Sequence, residues 1–600
     1  MTACTFPDGV TSTRGSFAAR RASQADEMPR LDSFRNPLRE YGTVSAEPAA
    51  PLPATESVGR LHASAVDVRR LPWVRPLAGE YAYNYAHVDG LYAGSPNDPA
   101  AWAAAIARTQ QHDRKRADIA SALRAQQQQR GAPAAARDAA ARLANPATVA
   151  IVTGQQAGVF GGPMFTLLKA VTALQLARRT ERTHDVPAVA IFWVDAEDHD
   201  WEEVRSCTVL DAEFQPRSVT LASVEGAGER PVAALTLDER VEQTIAELQA
   251  ALPQTEFAPD IIQTVRQGWR AGAGMARAFA TWLEQVLGPH GLVVFESSDP
   301  AVKPLVADIF TRELASPGRT AALAAEAGGA LAARGHAPQV VPQPDSVSLF
   351  HLNHGRKPIR RQGAAFAIGD DVFPADGLVR EADRNPERFS PNVLLRPIVQ
   401  DTLFPTICYV AGPSELAYLG QLRGVYQHFG VPMPLMYPRT TATLLDSGAS
   451  RFLSKHALPL EDLQPQDESA LNHLLESQLP ADVEQALREA DAQIQLSMKR
   501  IVDVLPTLDP TLAGAAKTTL GKMQHELRSL HTKVIHAAKR RDDTLRRQFT
   551  RAQAQAFPQG HPQERTLAVV YFLAKYGPGL VDLLLTELPV DMGKHWVVTV

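Results

Sequence analysis

Apolar and polar positions alternate along the chain in a way that marks one stretch, residues 148–204, as its organising unit. An apolar β-branched run at 149–152 breaks into a loop with four glycines, GQQAGVFGGP. Phe165, Leu168, Val171, Leu174 and Leu176 then recur at helical spacing. A second apolar run at 189–194 ends in Asp195-Ala196-Glu197-Asp198-His199-Asp200. Strand, glycine loop, helix, strand and polar crest make one βαβ unit. Ligands of open α/β sheets sit beyond the carboxyl ends of such strands, which is where 153–166 and 195–203 fall.

The same reading extends along the chain. Residues 99–129 are helical, with Trp102, Ile106, Ile119 and Leu123 as core positions, and the QQQQ tract after them reads as a linker to a further helix. Residues 204–237 form short strands with turns, 238–288 are mostly helical, and GLVVFE at 291–296 is a third buried strand. Helices run on to 334, a β-rich stretch covers 347–373, and 407–410 is a strand whose AGPSE turn leads into a helix over 416–428. Beyond 452, Val483, Leu487, Ala490, Ile494, Met498 and Ile501 face Ala516, Leu520, Met523, Leu527, Leu530, Val534 and Ala537 across a Pro-containing turn. The second set steps by alternating four and three, which is an a/d seam, so the pair predicts an antiparallel coiled-coil hairpin whose outer apolar positions need a partner, hence a homodimer.

The fold class is therefore α/β. The expected organisation is a disordered extension over 1–65 and a Rossmann-like core over 66–452 with inserted segments at about 205–290 and 310–390. A helical coiled-coil arm over 453–557 and a C-terminal segment, 558–600, that packs back on the core complete it. A chain of 600 residues is too long for one core. Its net charge of -5 shows no general attraction to nucleic acid or membrane, and no run approaches the roughly 20 apolar residues of a membrane span. Three scattered cysteines and no hydrophobic leader predict a reduced, cytoplasmic protein.

The glycine loop, through Thr153, Gly154, Gln155, Gln156 and Gly158, could offer backbone N–H groups to a phosphate at a helix N-terminus, with Thr166 and Lys169 beside it. A tight packing turn explains the same glycines equally well. In the crest, four carboxylates flank one imidazole. They cannot all ionise cheaply without compensation, and His199 between them is a candidate general base. One histidine with carboxylates suits many cations and none uniquely, so no metal is assigned. Ser414 and Glu415 in GPSELAY, and Arg439 in MYPRTTAT, are secondary candidates, each better read in isolation as a helix cap or a core-rim ion pair.

TGQQAGVFGGPMFTLLKA, FWVDAEDHDWEEV, YVAGPSELAYLGQL, VYQHFGVPMPLMYPR and QERTLAVVYFLAKYGP together resemble the bacillithiol biosynthesis cysteine-adding enzyme (BshC) family, over about residues 71–600. The resemblance implies a Rossmann-like, class I nucleotidyltransferase-like core with a dimerising coiled coil. It also implies a ligase that joins cysteine to the amine of glucosaminyl-malate. By motif, His199, Asp198, Glu197 and Lys169 carry catalysis. Thr153, Gly154, Gln155, Gln156, Gly158, Thr166, Ser414, Glu415 and Arg439 bind substrate or nucleotide. Asp195 stands where relatives often carry a small residue and is given less weight. ATP with Mg²⁺ is the implied cofactor, and Lys575 would join Ser414 and Glu415 at a nucleotide near the arm. Cys207 and Cys408 lack zinc-site spacing, so no zinc is expected. A non-catalytic dimeric scaffold that binds a nucleotide or sugar acid, and a ligase of the same fold for another amino acid and acceptor, remain the alternatives.

Overall fold

The computed structural model describes residues 61–600 apart from 353–354, 477–480, 510 and 542. The three apolar runs read from sequence form β1 (Val149–Gln156), β2 (Ala188–Asp195) and β3 (Val293–Glu296). With β4 (Thr406–Ala411) and β5 (Leu435–Pro438) they make a five-stranded parallel sheet in the order β5-β4-β1-β2-β3. Residues 149–152 and 189–194 are all buried, as parallel strands covered on both faces must be. The chain fills β1, β2 and β3 in one direction, then returns to the other side of β1 for β4 and β5. The switch point lies between β1 and β4.

Two insertions hang from this sheet. The hairpin Ser206–Leu210 with Pro216–Thr220 and four α-helices separate β2 from β3. Helices and a five-stranded antiparallel sheet, which includes Ser346–His351 and Phe389–Pro391, separate β3 from β4. The C-terminal strand Lys594–Thr599 lies between His62–Asp67 and Thr441–Leu445, so the chain's end is woven into the core. Residues 62–65 thus belong to a strand rather than to the extension expected over 1–65; the rest of that expectation falls outside the described residues.

The arm is the hairpin of α-helices Ala481–Val504 and Leu512–Arg541. Its antiparallel register is pinned by His531 to Glu484 at 3.0 Å and by Gln524 donating to Asp491 at 3.4 Å. Residues flanking it, which the sequence reading gave to the arm, build a second core in which Leu453, Leu463, Leu471 and Leu474 pack with Leu545 and Phe549.

Three local expectations change. The helix over 99–129 is two helices, Pro99–Gln111 and Arg116–Arg130, broken where Arg114 turns in to the carbonyls of Thr109 (2.8 Å) and Asp401 (3.3 Å). The QQQQ tract is no linker: Gln126 sits in the second helix and brackets Glu296 at the end of β3, accepting from its N–H and donating to its carbonyl. The helix over 416–428 is Leu416–Leu419 and Arg423–Phe429, interrupted where buried Gln421 donates to the carbonyls of Ala324 and Val340.

Candidate functional site

At the switch point, helix Met164–His184 sends Lys169 up beneath the end of β1. Its ammonium lies 2.6 Å from Glu415 Oε2 and donates to the Gly154 carbonyl (2.9 Å) and Gln155 Oε1 (3.2 Å), which uses all three of its donors. Burial pulls the Lys169 pKa down. Burial alone would raise Glu415, but Lys169 and the Gly412 N–H outweigh it and hold the carboxyl below its ordinary value. Beside this pair Arg565 donates to Ser414 Oγ at 3.1 Å. Arg396 stands near Tyr409 and Trp193, its guanidinium 5.8 and 5.9 Å from the two rings, and donates to Gln400 at 3.0 Å.

The crest occupies the neighbouring end of β2. Successive strand residues face opposite ways, so Gln155 meets Lys169 while Gln156 turns to Asp198, donating at 2.7 Å. Asp198 also accepts from the His199 N–H (2.8 Å) and from Arg356 (3.2 Å). Burial would raise this carboxyl, but Arg356, Gln156 and His199 hold it low. His199 Nδ1 lies 3.4 Å from Arg356, and burial together with that guanidinium keeps the imidazole below its usual pKa despite Asp198. Asp200 caps the short helix Trp201–Val204 through the Glu203 N–H at 3.1 Å. Glu197 does not face this space. It is buried against Lys303, which also donates to the Phe389 carbonyl at 3.0 Å.

The glycine loop is closed by the rest of the chain. Gly158 N–H donates to Gln156, Gly162 N–H to Val159, and Met164 N–H, the first of its helix, to the Leu567 carbonyl at 2.8 Å. Val569 N–H donates back to the Gly162 carbonyl, so 567–569 lie across the helix start. The glycines are there for packing. A Cβ on Gly161 would come 2.3 Å from Trp282, on Gly154 2.7 Å from the Trp193 carbonyl, and on Gly158 2.9 Å from Gly162 Cα. Thr153 donates to Val410 across to β4 at 2.9 Å, and Thr166 is buried with its hydroxyl unpartnered. This loop does not fit a phosphate. The groups at the sheet edge that suit an anion are the guanidinium groups of Arg356, Arg396 and Arg565.

Residues 62–440 match the family described as "Bacillithiol biosynthesis BshC, N-terminal Rossmann-like domain", and residues 442–600 match its "C-terminal coiled-coil domain". The chain belongs to the bacillithiol biosynthesis BshC family. A BshC relative from Salinibacter ruber is 33% identical over 527 residues, covering 87% of this chain and 95% of the relative. One from Symbiobacterium thermophilum is 33% identical over 494 residues, covering 80% and 88%. One from Heliobacterium modesticaldum is 31% identical over 528 residues, covering 86% and 96%. All three bear the name "Putative cysteine ligase BshC".

Within this BshC chain the sequence candidates fall into two groups. Lys169, Gln155, Gln156, Ser414, Glu415, Asp198 and His199 meet at the carboxyl edge of β1, β2 and β4. Arg439 does not join them. It forms a buried two-pronged pair with Glu564 at 2.9 and 2.8 Å, and Glu564 also accepts from the Ala442 N–H, which fastens the C-terminal segment to the core. Lys575 belongs to another cluster, 3.8 Å from Asp446 and 3.3 Å from the Tyr571 hydroxyl, and burial pushes its pKa down to about 8. Cys207 and Cys408 are separately buried thiols. Among the described residues no three His, Cys, Asp or Glu side chains are placed to share a metal ion.

Sequence reasoning missed Arg356, Arg396, Arg565 and Lys303. Arg396 opens the helix Arg396–Leu403, and the Pro397 that follows it was a usable helix-start signal. Arg356 lies in the second insertion and Lys303 in the 3₁₀ turn Pro300–Leu305, and nothing in their local sequence sets them apart.

Proposed function

We propose that this BshC chain is a ligase that forms the amide between the carboxyl of cysteine and the amine of glucosaminyl-malate, acting in the cytoplasm as a homodimer. The observation that carries the reading is the mixed constellation at the switch point. Guanidinium groups suited to anions stand beside carboxylates and an imidazole suited to moving a proton. The naming of its relatives as cysteine ligases, over nearly their whole length, supports the amino acid.

Amide formation from a carboxylate needs a leaving group on the acyl carbon, and ATP with Mg²⁺ supplies that chemistry when bound. Arg396 and Arg565 would offset phosphate charge, and Arg356 the carboxylates of the malyl group. Lys169, fully partnered, holds the exit of β1 against the loop after β4 and so positions Glu415 and Ser414. The homodimer reading draws on Leu496, Ile501, Leu512, Met523 and Leu530, which are exposed on the arm. No single helix among the described residues is long and apolar enough to cross a membrane.

The test is a mass-spectrometric assay of the purified protein with cysteine, glucosaminyl-malate, ATP and Mg²⁺. The expected product is the cysteinyl amide. AMP beside it marks an acyl-adenylate and ADP an acyl-phosphate, and other amino acids give little product. Binding of the acceptor with no amide formed, with or without ATP, would replace this reading with the scaffold one.

A further inference from the structure

Of the four crest carboxylates, three are committed. Glu197 pairs with Lys303, Asp198 with Arg356, Gln156 and the His199 N–H, and Asp200 caps a helix. Among the described residues Asp195 alone of the four accepts no hydrogen bond and makes no ion pair. It is the last residue of β2, directly opposite Gln156 in the register, half-buried at the carboxyl edge of the two central strands. The charged groups that face it come from every element packed there. Arg396 from the helix leading to β4 and Arg356 from the second insertion favour its ionised form. Asp198 and Glu197 from the crest disfavour it, and Glu203 lies close enough to feel its charge.

We infer that in this chain Asp195 is the proton acceptor for the attacking amine. The inference rests on the ligase reading above. The lone pair of the neutral amine forms the C–N bond to the carbonyl carbon of a cysteinyl acyl donor, a mixed anhydride. The C–O bond to the leaving oxyanion breaks with its electron pair, and the proton shed by nitrogen ends on the Asp195 carboxylate. His199 is worse placed for this step, because its Nδ1 already faces the Arg356 guanidinium. Burial, set against Arg396, brings the Asp195 carboxyl up to about 6, above the ordinary carboxylate range.

The experiment compares wild type, Asp195→Asn, Asp195→Glu and His199→Ala in the amide assay from pH 5 to 8. Acceptor binding is measured calorimetrically and folding by circular dichroism. In the wild type kcat at saturating acceptor, which unlike kcat/KM does not carry the acceptor amine's own protonation, should fall on the acid side with a midpoint near 6. Asp195→Asn should lose that limb and about 10²-fold or more in rate. Its acceptor affinity should change less than about threefold. Asp195→Glu should recover a limb, and His199→Ala should keep the original one. An acid limb that survives in Asp195→Asn, or a rate loss matched by an equal loss of binding, overturns the assignment. No amide from the wild type at any pH overturns the ligase reading first, and this step with it.

Discussion

Replacing Glu197 with Gln tests whether the most buried carboxylate of the crest is structural or reactive. The Glu197 and Lys303 side chains are 6% and 5% exposed, and Lys303 also holds the Phe389 carbonyl. The pair therefore joins three elements: the crest after β2, the turn after β3 and the strand Phe389–Pro391. Losing one member of such a pair leaves a buried charge uncompensated, which costs about 3–5 kcal/mol. Glutamine keeps the shape and can still accept a hydrogen bond, so Glu197→Gln should sit near the lower end. That is about two decades in the folding equilibrium. Removing both charges, Glu197→Gln with Lys303→Met, should recover most of the loss, because an apolar replacement of a buried pair is often neutral. Urea titrations followed by tryptophan fluorescence, read beside amide formation in dilute urea-free buffer, measure both effects. Glu197→Gln with wild-type stability and no activity would refute the structural assignment and return Glu197 to the substrate.

Gly161→Ala should abolish soluble expression, since φ is +96° and the new Cβ would meet the Trp282 ring. Gly514→Ala, where a Cβ meets open space within an arm helix, should raise stability by up to about 1 kcal/mol. The imidazole of His199 should titrate below the ordinary histidine value in an NMR pH series, and Arg356→Ala should move it up. Because the unfolded chain takes up this proton more readily, the fold loses that contribution to stability as pH falls through the ordinary imidazole range and keeps it above. Light scattering should give the mass of the proposed dimer for the wild type and of a monomer for Leu496→Lys with Leu530→Glu; a monomeric wild type would refute the dimer, and a double variant that stays dimeric would place the contact elsewhere.

How much of this was legible in the sequence depended on whether the deciding neighbours were local. Parallel strands buried on both faces must be apolar throughout, so the runs at 149–152, 189–194 and 293–296 announced the sheet with little ambiguity. The heptad seam announced the hairpin for the same reason, since its period comes from the helix itself. The glycine loop was open to two readings because glycine serves close packing and ligand approach alike. Trp282 and the returning segment 567–569 decide between them, and both lie far away in the chain. Helix 416–428 looked continuous because only the carbonyls of Ala324 and Val340 require Gln421 to turn inward.

The crest carries this furthest. Four adjacent carboxylates look alike in sequence, and what separates them chemically is which cation reaches each one. Lys303, Arg356 and Arg396 come from three different stretches between β3 and β4, so no reading of the crest by itself could divide its carboxylates into committed and open. Once those three are placed, Glu197 becomes a staple and Asp198 a partner of Arg356. The residue that the family motif made least of, Asp195, becomes the carboxylate left facing the site. A cationic residue moved within the insertions would therefore redistribute those roles without changing a single residue of the crest.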